Sequence, residues 1–165
     1  MGHQLVLVLI SDPQADVLGQ VEESITHHAS NANAPPNDRN PDPMFDWYTI
    51  GGRWDGVFAG LFAGKNAEVD GIGGRVEGNI CAVAALPDDL HPGAVATPDG
   101  RWHSYAANEA IASMRKILED LNDEAAAAMR KILGPVIDGG TDVPSLRELL
   151  APYGSYYVVA VDAHA

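Results

Sequence analysis

The segment Gln4-Leu5-Val6-Leu7-Val8-Leu9-Ile10 decides the fold. Its apolar residues run without a polar alternation and are rich in valine and leucine. That pattern reads as a central strand buried on both faces. The run is far shorter than the ~20 residues a membrane helix needs, and no positively charged stretch precedes it. No later segment is long and apolar enough to span a bilayer, so the sequence predicts a soluble, cytoplasmic protein without a membrane partner.

Working outward, Ser11 or Asp12 is expected to cap a helix with Pro13 in its first turn. Val17, Leu18, Val21 and Ile25 follow at helical spacing and would pack on the sheet. Residues 30–45 are rich in Asn, Pro and Asp and read as one long loop. Asp46 to Ile50 reads as a strand, broken or bulged by Gly51-Gly52 and resumed at Arg53-Trp54. Residues 64–79 carry five glycines and read as loop. Ile80 to Leu86 is strand-like. Ala94 to Thr97, Pro98-Asp99-Gly100, and Arg101 to Tyr105 form a hairpin pattern: proline presets φ, and glycine tolerates positive φ. The apolar positions Ile111, Met114, Leu118, Leu121, Ala125, Ala128 and Ile132 predict one helix over 108–133, ended by Gly134-Pro135. A short helix over 144–150 and a strand over 155–164 complete the chain. Helices are few and do not alternate regularly with strands. The expectation is a single α+β domain over 1–165 with a largely antiparallel sheet, a ferredoxin-like variant, and helices packed on one face.

The 165 residues include 23 acidic and 10 basic side chains, a formal charge of −13. The acids are dispersed, with 7 in residues 1–50, 7 in 51–100 and 9 in 101–165. No basic stripe exists, which argues against direct nucleic-acid backbone binding. The surplus also disfavours an anionic membrane surface. Cys81 is the sole cysteine, so neither an internal disulfide nor a CxxC site can form. It lies in an apolar run and reads as an inert core residue.

All three tryptophans fall in two blocks, Asp46-Trp47-Tyr48-Thr49-Ile50-Gly51-Gly52-Arg53-Trp54 and Thr97-Pro98-Asp99-Gly100-Arg101-Trp102-His103. Arg53 offers a bidentate fork for a carboxylate or phosphate. Tyr48, Trp54 and Trp102 offer stacking faces, and Asp46 a carboxylate. The alternative is structural: an arginine–aspartate pair holding a bulge. Strand period places Asp46 and Tyr48 on one face, and Asp162 and His164 on one face. If the strands are neighbours, His103, Asp162 and His164 form a two-histidine, one-carboxylate set. Such a set either binds a divalent metal (Zn or Fe) or serves as catalytic acid–base groups. Gly71-Ile72-Gly73-Gly74 lacks the following Lys-Ser/Thr of a phosphate loop, and Ser104 lacks a nucleophile-elbow context.

The blocks Asp46 to Gly56, Thr97 to His103 and Val161-Asp162-Ala163-His164, with His3 ahead of the first strand, together resemble a set of small uncharacterised proteins of actinobacteria and their phages. The resemblance spans nearly the whole chain and is poorest over 107–133. It implies a shared architecture and a shared locus, and supplies no reaction; the phage link implies a defence or counter-defence role.

Two classes of function follow. One is a small-molecule site where the two tryptophan blocks meet the C-terminal strand, acting on a small anionic ester or nucleotide by hydrolysis, with or without metal assistance. The other is a non-catalytic interaction protein: an acidic nucleic-acid mimic, a partner or homodimer bound through helix 108–133, or a module that sequesters a nucleotide.

Overall fold

The computed structural model describes residues 2–62, 76–105, 114, 116–139 and 145–165. Most of the glycine-rich stretch, the start of helix 108–133 and Pro144 lie outside the described residues. The chain divides into two compact units, one of Met1–His103 with Leu150–Ala165, the other of Ser104–Leu149.

The first unit is a mixed, mostly antiparallel open sheet of six strands. They are β1 (His3–Ile10), β2 (Trp47–Ile50), β3 (Ile80–Ala82), β4 (Ala94–Ala96), β5 (Trp102–Ser104) and β6 (Tyr157–His164). The order is β2-β6-β1-β4-β5, and β3 also pairs with β6. β6 runs antiparallel to β1 over its full length, His3 facing His164 and Ile10 facing Tyr157. The lower half of β6 pairs with β2 and the upper half with β3. β1 and β4 pair in parallel.

The unbroken apolar character of β1 is explained by burial on both sides: every residue from Leu5 to Ile10 is buried. Val6, Val8 and Ile10 share one face with Val159 and Val161 of β6, and there they meet Val17, Val21 and Ile25 of helix α1 (Val17–Ile25). Leu5, Leu7 and Leu9 point to the opposite face with Val158 and Ala160. Cys81 lies on β3, fully buried, and burial pushes its thiol up to about 11.

Several boundaries differ from expectation. α1 begins at Val17 under Asp16, whose Oδ1 accepts the Gly19 N–H at 3.0 Å. Ser11 or Asp12 does not cap it, because Asp12 holds the preceding turn instead, accepting from the Gln14 N–H at 2.9 Å. Arg53-Trp54 does not resume a strand. Gly51 and Gly52, with φ of 78° and 54°, start a single 3-10 turn over Gly52–Trp54. The long loop is knitted by two asparagines. Asn31 Nδ2 donates to the Asp38 carbonyl at 2.8 Å, and Asn40 Nδ2 to the Ala29 carbonyl at 3.1 Å. The expected hairpin forms between β4 and β5, closed by Thr97 N–H to Arg101 carbonyl at 3.1 Å, with Gly100 at φ 81°.

In the second unit the long helix is not continuous. Residues 116–120 are helical, residues 121–122 are not, and α2 (Asp123–Gly139) starts anew. Asn122 causes the restart: its Oδ1 accepts the Ala125 N–H at 2.9 Å, an N-cap. α2 then runs through Gly134-Pro135, where the sequence predicted a stop. Leu118 is buried against Met114, Leu121 and Met129, whereas Ile117 and Ile132 are exposed. The short helix α3 spans Leu146–Leu150, with Ser145 Oγ accepting the Glu148 N–H at 3.2 Å. No helix among the described residues is long and apolar enough to cross a membrane.

Candidate functional site

The site forms at the end of the sheet where β1 begins and β6 finishes. Strand pairing sets His3, His164 and Trp47 in one row across β1, β6 and β2. Residues directly opposite share a face, so these three rings project on the side that also carries Asp162, one step along β6. The His3 ring meets His164 edge-on at 4.9 Å and Trp47 edge-on at 5.6 Å. Trp47 stacks on His164 at 5.1 Å with 13° between planes.

Asp162 is buried, and a bare carboxylate there would cost several kcal/mol. Both of its oxygens are satisfied. His3 Nδ1–H donates to Oδ1 at 2.7 Å, and the Arg53 backbone N–H donates to Oδ2 at 3.0 Å. The second bond explains the glycine pair. For the Arg53 amide to reach the carboxylate, the chain leaving β2 must fold back directly over Asp162. A Cβ on Gly52 would sit 2.4 Å from Asp162 Cβ, and φ at Gly52 is positive. Only glycine fits there. Asn79, fully buried, fixes the rest of the turn: its Oδ1 accepts the Gly56 N–H at 2.8 Å and its Nδ2 donates to Asp55 at 2.7 Å.

The bond at Nδ1 assigns the proton of His3 to that nitrogen while the ring is neutral, leaving Nε2 as an acceptor. The His3 side chain stays 19% accessible, so the pair is not sealed in the core. Beside it, His164 Nδ1 is buried without a hydrogen-bond partner among the described residues. Trp47 is 48% exposed. The Arg53 side chain is exposed and carries no ion pair among the described residues.

The residues singled out in the sequence divide sharply. Asp162, His164 and the backbone of Arg53 come together. Asp46 is exposed and joins only through its backbone, its N–H donating to the His164 carbonyl at 2.7 Å. Tyr48 lies on the opposite face, where its ring meets Phe45 edge-on at 5.9 Å. There burial, with a smaller contribution from Glu22, raises its phenol above the ordinary range. Trp102 lies on that face too, stacked on Phe45 at 5.7 Å. Trp54 is half-buried in the 3-10 turn. His103 is on β5, with β1 and β4 between it and β6. Three strand spacings amount to about 14 Å, and its Nε2 is 3.0 Å from Thr97 Oγ1. The set of His103, Asp162 and His164 is therefore not assembled. Among the described residues no three His, Cys, Asp or Glu side chains are arranged to hold a metal.

Trp47 is a site residue that the strand-face argument leaves out, and His3, just before the first strand, is one that the sequence leaves either in the patch or exposed. His3 stands at the edge of the apolar run, and its place opposite His164 follows only from the register of β1 against β6. The two tryptophan blocks also do not meet as expected: one borders the site, and the other stacks into the α1-covered core. The chain matches no family model, no curated protein and no solved structure.

Proposed function

We propose that the His3–Asp162 pair is the acid–base centre of a small-molecule site, and that it hydrolyses a small anionic ester or nucleotide. One observation carries this reading: a buried carboxylate held by a backbone amide on one oxygen and by a partly accessible histidine on the other. Asp162 orients the ring and stabilises the imidazolium, so His3 Nε2 takes a proton from water as water attacks the ester, then returns it to the leaving oxygen. Trp47 and His164 wall the ring on one side. Arg53, whose backbone amide caps the carboxylate and whose side chain is exposed, supplies the cation that an anionic substrate needs against a net charge of −13.

Hydrolysis of p-nitrophenyl phosphate, bis-p-nitrophenyl phosphate and p-nitrophenyl acetate by the purified protein tests it. Activity on one of them should fall by about 10²-fold or more in His3→Ala and Asp162→Asn, while His103→Ala, three strands away, retains it. Activity equal in His3→Ala and the unmodified chain would defeat the assignment.

A second reading rests on Ile117 and Ile132, 53% and 73% exposed in the helices of the second unit. Large aliphatic side chains in water favour a partner surface. Loss of self-association or partner binding in Ile117→Glu and Ile132→Glu, with hydrolysis unchanged, would favour that reading.

A further inference from the structure

A cleft of about 340 Å³ opens at the opposite end of β1 from His3. It lies at the carboxyl ends of β1 and β4, which pair in parallel. Strand ends of that kind leave a crevice, because the chain departs from each toward different places: β1 into α1, and β4 into the hairpin turn. Leu9 and Ile10 line it together with one side of α1, and Thr97, Pro98 and Gly100 line it from the hairpin turn.

Both sides are pinned by hydrogen bonds. Gln20 on α1 donates from Nε2 to the Asp12 carbonyl at 2.7 Å and accepts the Asp12 N–H at 3.2 Å, fixing the turn after β1. His27, two turns further on, donates from Nε2 to the Gly100 carbonyl at 3.0 Å and ties the end of α1 to the hairpin. Thr97, nearly inaccessible, is committed to Asp99 and His103. The cleft is thus held open by groups whose bonding is spent on its frame.

Other polar groups lining it are unspent. Ser11 and Ser24 hydroxyls, the Tyr156 phenol and the Glu23 carboxylate make no hydrogen bond or ion pair among the described residues. Glu23 is the only formally charged side chain in the lining, which holds neither lysine nor arginine. Arg101, the cation of the neighbouring turn, is paired with Asp99 at 3.5 Å. A carboxylate, three hydroxyls and an aromatic face with no opposing cation repel anions and accept hydrogen from an ammonium group.

We infer that this cleft is a second ligand site, independent of the His3–Asp162 pair, and that it takes a small organic ammonium ion. Glu23 binds the cationic nitrogen, Tyr156 lies against it, and Ser11 and Ser24 bond the ligand's polar remainder.

Isothermal titration of the full chain with putrescine, ethanolamine and choline tests this, with myo-inositol and inorganic phosphate as neutral and anionic comparisons. At least one amine should saturate at millimolar concentration or below, and inositol and phosphate should bind at least tenfold more weakly. Glu23→Gln should weaken that amine about tenfold, the scale of one charge-assisted bond, at an unchanged melting temperature. His3→Ala should leave amine binding intact. No saturation by any amine, equal binding of inositol, or undiminished affinity in Glu23→Gln would each overturn the proposal.

Discussion

The residue on which the site depends most is Gly52, which makes no side-chain contact at all. Its left-handed backbone and the 2.4 Å that would separate a Cβ from Asp162 make it the hinge that lets the Arg53 amide reach the carboxylate. Gly52→Ala should cost about 2 kcal/mol or more, combining backbone strain with a displaced buried carboxylate, read as a lowered urea midpoint. An unchanged midpoint would mean that the turn does not hold Asp162. A glycine pair in the sequence announces a break in a strand. It does not say that the break exists to deliver an amide to a residue 109 positions away in β6. His28 makes a different point about single residues. Burial, and then the charge of neighbouring His27, hold it below the ordinary histidine range, and its Nε2 has no partner among the described residues. The unfolded chain takes up a proton near pH 6.5, which the folded chain refuses until lower pH. Stability should therefore fall as pH drops through about 6.5 and level off below the folded-state value. Unfolding free energies at pH 7.5 and 5.5 should differ less in His28→Gln than in the unmodified chain; an identical pH dependence would contradict the assignment.

At the scale of elements, what was legible was periodicity, and what was not was register. The apolar runs in β1 and β6 are visible because burial on two faces removes polar alternation. The alternation of β2 is visible as well, but which of its faces meets Asp162 is not. Pairing sets Trp47 opposite His164 and Thr49 opposite Asp162, so Tyr48 falls into the core and Trp47 into the site. A shift of one residue exchanges the two sets, and no local pattern distinguishes them. His103 failed to join for the related reason that the strand order of a sheet is not written in any one strand. Helix limits were blurred by competing caps. Three of the residues before α1, Ser11, Asp12 and Asp16, can cap, and Asp16 does so because its carboxylate reaches the Gly19 amide. Asp16→Ala should lower stability by about 1 kcal/mol, measured as a shift in the urea midpoint, whereas Ser11→Ala should leave it unchanged. Equal effects of the two would show that capping is not what fixes the start of α1.

At the scale of the whole molecule, the −13 charge explains less than the path of the chain. The sheet is closed in the middle by its last strand. β6 separates β1 from β2 and supplies the pairing partner of β3, so among the described residues it is the strand with three neighbours. Five of its eight residues are essentially inaccessible. The two chain ends lie side by side, with Gly2 and Ala165 exchanging hydrogen bonds of 3.2 and 3.0 Å. The first strand therefore cannot complete its hydrogen bonding until the last has been added, and His3 cannot meet Asp162 before then. Deleting residues 157–165 removes a strand whose neighbours would each expose a row of unpaired amides and carbonyls, together with the apolar faces of β1. The truncated chain should lose cooperative thermal unfolding by circular dichroism and bind a hydrophobic dye. The full chain carrying Asp162→Asn should still unfold cooperatively, which separates loss of the strand from loss of the site. A truncated chain that melts in a single sharp transition would show that β1, β4 and β5 form a stable sheet without β6.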